Sequence, residues 1–297
     1  MMAQTYSSNT ISAQDGLKLH VRDYGRHSGG ALPVICLPGL SRTSADFDAL
    51  ATALAGHGEQ PRRVLALDYR GRGLSEYDRD PANYNLLVET GDVLSVVTAL
   101  GVSSAVFVGT SRGGILTMLL AAQRPTLIAG AVFNDIGPVL EPQGLVRIKG
   151  YVGRLPPAKS FEEGADILRW LFAGQFPKLT SDDWLADAKR TFREQNGRLV
   201  PTYDPALAKT LEGVDVERPQ PPLWNAFAAL GRVPLMVIRG ANSDLLSAAT
   251  VEAMQASHPG LTAIEIPDEG HPPRLSDPEL ISRIAAFIAL CDQPQPH

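Results

Sequence analysis

A series of short apolar runs, each stopped by turn residues and separated by stretches with helical spacing, constrains this chain more than any other feature. VICLPG (34–39), VLALD (64–68), AVFVG (105–109), AGAVFND (129–135) and LMVIRG (235–240) are continuous and β-rich. Runs of this kind suit strands covered on both faces. LKLHVRDYG (17–25) alternates, and LTAIEIP (261–267) closes the series. Between them, ADFDALATALA (45–55), NLLVETGDVLSVVTAL (85–100), ILTMLLAAQ (115–123) and PELISRIAAFIALC (278–291) carry apolar residues at helical spacing, with Asp277 as N-cap and Pro278 at the first position of the last. Strands alternating with helices predict an α/β fold, a doubly wound and mostly parallel sheet with helices on both faces.

One interval breaks the rhythm. Roughly 95 residues, 138–232, separate the AVFND run from LMVIRG, whereas connections in such sheets are short. The interval is expected to be a helical insertion on a core formed by residues 1–137 and 233–297. EEGADILRWLFAGQF (162–176) and SDDWLADAKRTFREQNG (181–197) read as helices, and ERPQPPLW (217–224) as a stiff return linker. All three tryptophans, Trp170, Trp184 and Trp224, fall within it. Most of its aromatics should hold it together, and a minority should line a pocket against the core.

The net charge of −5 gives no electrostatic reason to expect nucleic-acid binding. Cys36 and Cys291 are too few for a disulfide framework and read as reduced thiols. No secretory signal and no membrane-length apolar run is visible, so a cytoplasmic protein acting on a small molecule, away from membranes, is the expectation. No His/Cys/Asp/Glu cluster has metal-ligand spacing, and neither metal nor cofactor is expected.

AVFVGTSRGG (105–114) contains G-T-S-R-G after a strand and before a helix, the context a nucleophile elbow requires. Side chains at 109 and 113 would collide with so sharp a turn, and both are glycine. Ser111 is then lifted to the apex, at a helix N-terminus that favours developing negative charge. A phosphate loop is excluded because no G-K-[ST] follows. The serine needs a base. His20, His27 and His57 precede it, His258 reads as part of a surface turn, and His297 is terminal. His271, after the last strand, is therefore the expected base. For the acid that orients it, Asp244 (in NSDLL) is favoured because its strand directly precedes the one leading to His271. Asp135 is the competitor, and Asp268 and Glu269 read as loop carboxylates. Arg70, Arg72, Asp78, Arg79 and Asp80 read as a solvated loop with local ion pairs.

With LPGLSR (37–42), DYRGRGLS (68–75), GTSRGG, the SD of NSD and the GH of EGHPP, the chain resembles the α/β-hydrolase fold family over about residues 17 to 291. The resemblance implies a Ser111–Asp244–His271 triad, oxyanion-hole N–H groups at Leu40 and Arg112, and a cap domain in the long insertion. Two departures stand out: Pro38 occupies a place where the family usually has histidine, and Arg112 one that is often apolar. The expected pairing of the Arg112 side chain is either a buried carboxylate such as Asp135 or solvent. The implied activity is hydrolysis of a carboxylic ester or lactone through an acyl-enzyme. Carbon–carbon bond hydrolysis, amide hydrolysis, perhydrolysis of the haloperoxidase kind, or slow-turnover ligand sensing are the alternatives.

Overall fold

The short apolar runs become the inner strands of one sheet because each alternate side chain finds a helix to pack on. The computed structural model describes residues 5–25, 31–56, 61–216, 218 and 220–293. In chain order the elements are β1 (Ser7–Ser12), β2 (Lys18–Tyr24), β3 (Val34–Leu37), α1 (Asp48–Gly56), β4 (Val64–Leu67), α2 (Leu86–Ala99), β5 (Ala105–Thr110), α3 (Arg112–Gln123) and β6 (Ile128–Asn134). After these come α4 (Pro142–Tyr151), α5 (Phe161–Phe172), α6 (Ser181–Thr191), β7 (Phe192–Gln195), β8 (Arg198–Pro201) and α7 (Trp224–Ala228). The chain ends with β9 (Leu235–Gly240), α8 (Ala248–Ser257), β10 (Thr262–Ile266) and α9 (Pro278–Leu290).

The main sheet has eight strands in the order β1-β2-β4-β3-β5-β6-β9-β10. It is parallel from β4 to β10, with β1 and β2 antiparallel at one edge. Strand side chains divide between two cores. Val34, Cys36, Val106 and Val108 meet Leu50 and Leu54 of α1 and Ile284 and Phe287 of α9. Ile35, Leu37 and Phe107 meet Val93 of α2, Leu116 of α3 and Met254 of α8. The expected mostly parallel sheet with helices on both faces is the observed one. Asp277 caps α9 by accepting from the Leu280 N–H at 2.9 Å. The strand β1 was not anticipated, because SSNTIS carries no apolar run. It adds to the sheet by backbone pairing with β2.

The interval between β6 and β9 is not wholly helical. The helix expected over 181–197 stops at Thr191, and the chain turns through the antiparallel hairpin β7–β8. Asn196 and Gly197 both have positive φ, 52° and 74°, which is the mirror-image two-residue turn that an Asn-Gly pair favours. A third cluster, with Leu168, Phe176, Trp184, Phe192 and Leu199, packs inside this interval. Glu217 and Pro219 of the expected linker, the terminal residues 294–297, and His27 and His57 lie outside the described residues.

Two local expectations are corrected. The 68–80 stretch is solvated only in part: Arg79 and Asp80 are exposed, but Arg70 and Arg72 are buried. Arg70 pairs with Asp92, Asp78 and Asp15. His258 is buried rather than in a surface turn, its Nε2 facing the carbonyls of Leu230 and Val233 at 3.2 and 3.1 Å. Among the described residues no helix is long and apolar enough to cross a membrane.

Candidate active site

Ser111 stands between β5 and α3 with φ of 50°, a conformation non-glycine residues rarely adopt. The turn is tight enough to dictate its neighbours. A Cβ on Gly113 would lie 2.0 Å from the Leu37 carbonyl oxygen, and one on Gly109 2.5 Å from the Gly114 nitrogen. The Ser111 N–H donates to the Asn134 carbonyl at 3.0 Å, which ties the elbow to the end of β6.

His271 follows β10 and reaches back to the elbow. Its Nε2 lies 2.9 Å from Ser111 Oγ, and its Nδ1 lies 2.8 Å from Asp135 Oδ2. The imidazole and the Asp135 carboxylate are both buried. Asp135, with φ of 56°, is held from three directions. Its N–H donates to the Ile238 carbonyl at 2.7 Å, its Oδ1 accepts from the Gly240 N–H at 2.8 Å, and its Oδ2 accepts from Ser243 Oγ at 2.5 Å. A carboxylate so held can fix the imidazole ring and stabilise its protonated form, while the far nitrogen takes the serine proton.

The structure therefore brings Ser111 and His271 together as expected and corrects the acid. The carboxylate on His271 is Asp135, not Asp244. Asp244 binds α4 instead, where Arg147 donates Nε and Nη2 to its two oxygens at 2.6 and 2.8 Å. Burial works to raise its pKa, but the Arg147 guanidinium outweighs that and holds the carboxyl below its ordinary range. The physical reason is strand order. β6 lies between β5 and β9, so Asp135, the first residue past β6, sits directly beside the elbow. Asp244 lies four positions past β9, far enough along its loop to turn to another partner. Asp135 was the weighed competitor, and its position immediately after a strand was the available signal.

The loop bearing Leu40 lies against the elbow: a Cβ on Gly39 would be 3.8 Å from Ser111 Cβ. With Pro38 in place of histidine, the loop is braced by Tyr69, whose hydroxyl donates to the Pro38 carbonyl at 3.1 Å, and by Arg72, whose Nε donates to the Leu40 carbonyl at 2.8 Å. The Arg112 side chain takes the buried-carboxylate arm of the expectation, but the carboxylate is Glu89 rather than Asp135. Its Nε donates to Glu89 Oε2 at 2.5 Å. Nothing in the sequence pattern singled out Glu89, which sits on a helix face that reads as ordinary.

A cavity of about 320 Å³ opens on the His271 side, lined on one flank by Ser41, Arg42 and Asn134 and on the other by Tyr151, Phe172 and Trp184. It is mainly apolar, with ion pairs set into its wall. Arg42 binds Asp46 through Nε and Nη2 and Thr191 through Nη1. Of the three tryptophans only Trp184 lines it. Trp170 is 84% exposed on the outer face, and Trp224 packs edge-on against Phe227.

Residues 34–284 match the model of the alpha/beta hydrolase family. The 3-hydroxybutyrate-oligomer hydrolase of Cupriavidus necator is 33% identical over 289 residues, covering 91% of this chain and 93% of that protein. The 2-(acetamidomethylene)succinate hydrolase of Mesorhizobium japonicum is 26% identical, covering 89% and 90%. A crystal structure of an alpha/beta hydrolase from Novosphingobium aromaticivorans superposes with a TM-score of 0.89 at 40% identity, over 96% of this chain and 98% of that one. By its matched length and its shared fold, this chain belongs to the alpha/beta hydrolase family, and the two named relatives are hydrolases.

Proposed function

We propose that this protein hydrolyses small to medium carboxylic esters, oligoesters of short hydroxy acids among them, through an acyl-enzyme on Ser111. The observation that carries the reading is the unbroken chain from Ser111 Oγ to His271 to Asp135, at 2.9 and 2.8 Å. In the proposed cycle His271 Nε2 takes the Ser111 proton as Oγ attacks the carbonyl carbon, and Asp135 stabilises the imidazolium. The N–H groups of Leu40 and Arg112 hold the oxyanion. His271 returns the proton to the leaving alcohol. Water then attacks the acyl-enzyme, with His271 again acting first as base and then as acid. Residues 138–232 serve as a cap whose Tyr151, Phe172 and Trp184 select the acyl chain. The whole-length similarity to an oligoester hydrolase supports the substrate class.

The test is Ser111→Ala, assayed on p-nitrophenyl esters, 3-hydroxybutyrate oligomers, lactones and amides of graded size. Turnover on the preferred esters should drop at least about 10³-fold with the fold intact. Labelling by a fluorophosphonate should vanish with it. Undiminished ester turnover in a folded Ser111→Ala variant would end the reading.

A further inference from the structure

Two arginines approaching the nucleophile from different segments end on one buried carboxylate. Arg72 donates Nε to the Leu40 carbonyl at 2.8 Å, and Nη1 to Glu89 Oε1 at 2.6 Å and to the Arg70 carbonyl at 2.7 Å. Arg112, next to Ser111, donates Nε to the other Glu89 oxygen at 2.5 Å and Nη2 to the Tyr84 carbonyl at 3.3 Å. Glu89 and Arg72 are fully buried, and Arg112 is only 13% exposed. The rings of Tyr69 and Tyr84 stand 5.5 and 5.6 Å from the Arg72 guanidinium carbon.

Such a cluster is costly to desolvate, and apolar residues of the same volume would serve stability as well or better. What it supplies is direction. Around the Leu40 N–H every carbonyl is held: that of Pro38 by Tyr69, that of Gly39 by the Arg42 N–H at 3.2 Å, and that of Leu40 by Arg72. On the other side, Arg112 ties the first residue of α3 to α2. Oxyanion donors act only if they are aimed before the charge develops. Burial works to raise the Glu89 pKa, and the two guanidinium groups outweigh it, so the carboxyl stays below its ordinary range and ionised.

We propose that Glu89 is a positioning residue, which through Arg72 and Arg112 aims the Leu40 and Arg112 N–H groups at one point above Ser111. The inference rests on the acyl-enzyme reading given above.

The experiment is Glu89→Gln in the full chain. The amide keeps the shape but presents one donor to a guanidinium and leaves two like charges uncompensated. The expected result is a fall in kcat of about 10- to 100-fold, the range for small misplacements of catalytic groups, with KM within about twofold. A trifluoromethyl ketone that forms a tetrahedral adduct on Ser111 should lose affinity by the same factor as kcat/KM, while the product carboxylate binds as before. Should Glu89→Gln not fold, Arg112→Met keeps the Glu89–Arg72 pair balanced and should show the same signature at smaller size. Wild-type kcat and ketone affinity in the folded variant would overturn the proposal, as would equal losses for ketone and product. Ser111→Ala separates the two readings. If it is inactive while Glu89→Gln is normal, only the positioning role fails; if it is fully active, the acyl-enzyme reading fails too.

Discussion

Ser111 and Asp135 share an uncommon property, a positive φ on a non-glycine residue at the end of a parallel strand. Strain of this kind costs on the order of 1–3 kcal/mol and persists only where surroundings over-determine it. Here the backbone bond from Ser111 to Asn134 and the bonds from Asp135 to β9 do so. Asp135→Asn should therefore be severe: it keeps the shape but favours the wrong imidazole tautomer, a change that costs about 10⁴ in kcat in the well-studied serine protease case. Asp244→Asn, at a carboxylate spent on Arg147, should cost less than about tenfold, a bound set by its lack of contact with the imidazole. Both variants should be checked by circular dichroism and assayed on one saturating ester; the opposite ranking would return Asp244 to the triad. Ser111 and His271 were legible as site candidates because each is marked by local chain chemistry, a glycine-flanked serine and a histidine just past the last strand. The carboxylate that contacts His271 was not, because two carboxylates end up at the same sheet edge and the choice depends on which one turns inward.

Elements are set by short-range rules where they are set at all. The elbow needs Gly113, since any Cβ there meets the Leu37 carbonyl. Gly113→Ala should fail to give soluble folded protein or lose most ester turnover, and a fully active variant with unchanged melting would show that β3 can yield. In α6, Thr180 and Asp183 form a reciprocal cap: the Thr180 side chain accepts from the Asp183 N–H, and Asp183 accepts from the Thr180 N–H. Thr180→Ala should cost about 1 kcal/mol, seen as a drop of a few degrees in Tm. The Thr180 hydroxyl, then the Thr180 N–H and Arg274, hold the Asp183 carboxyl down to about 2 from its ordinary 3.8. A carboxyl with a depressed folded pKa adds stability that is complete above its unfolded value and is lost as pH falls toward the folded one. The contribution should therefore fade between about pH 4 and pH 2, and Asp183→Asn should flatten the acid limb of a Tm-against-pH curve. The Asn-Gly turn of β7–β8 was readable on the same terms, but helical spacing in the residues before it hid the break.

At the level of the molecule, the cavity joins segments far apart in the chain, Ser41 and Arg42 from one side and Tyr151, Phe172 and Trp184 from the interval 138–232. Phe172→Ala should change the ranking of kcat/KM across acyl chain lengths by about tenfold or more, the scale of one methylene in an apolar pocket. Trp170→Ala, on the exposed outer face, should leave the ranking unchanged. A panel in which Trp170→Ala reorders substrates and Phe172→Ala does not would place selectivity elsewhere.

By itself the sequence determined the sheet, its helices, the elbow and the histidine, because hydrophobic period, turn residues and the glycine requirement act over a few positions and leave their mark in order. Tertiary structure alone decided that Asp135 and not Asp244 meets His271, that Arg70, Arg72 and Glu89 are buried rather than solvated, and that Trp184 and not Trp170 faces the cavity. Each is a choice among chemically equivalent side chains. Only the packed positions of β6, α2 and α4, brought together from distant stretches, decide which partner a charge or ring can reach.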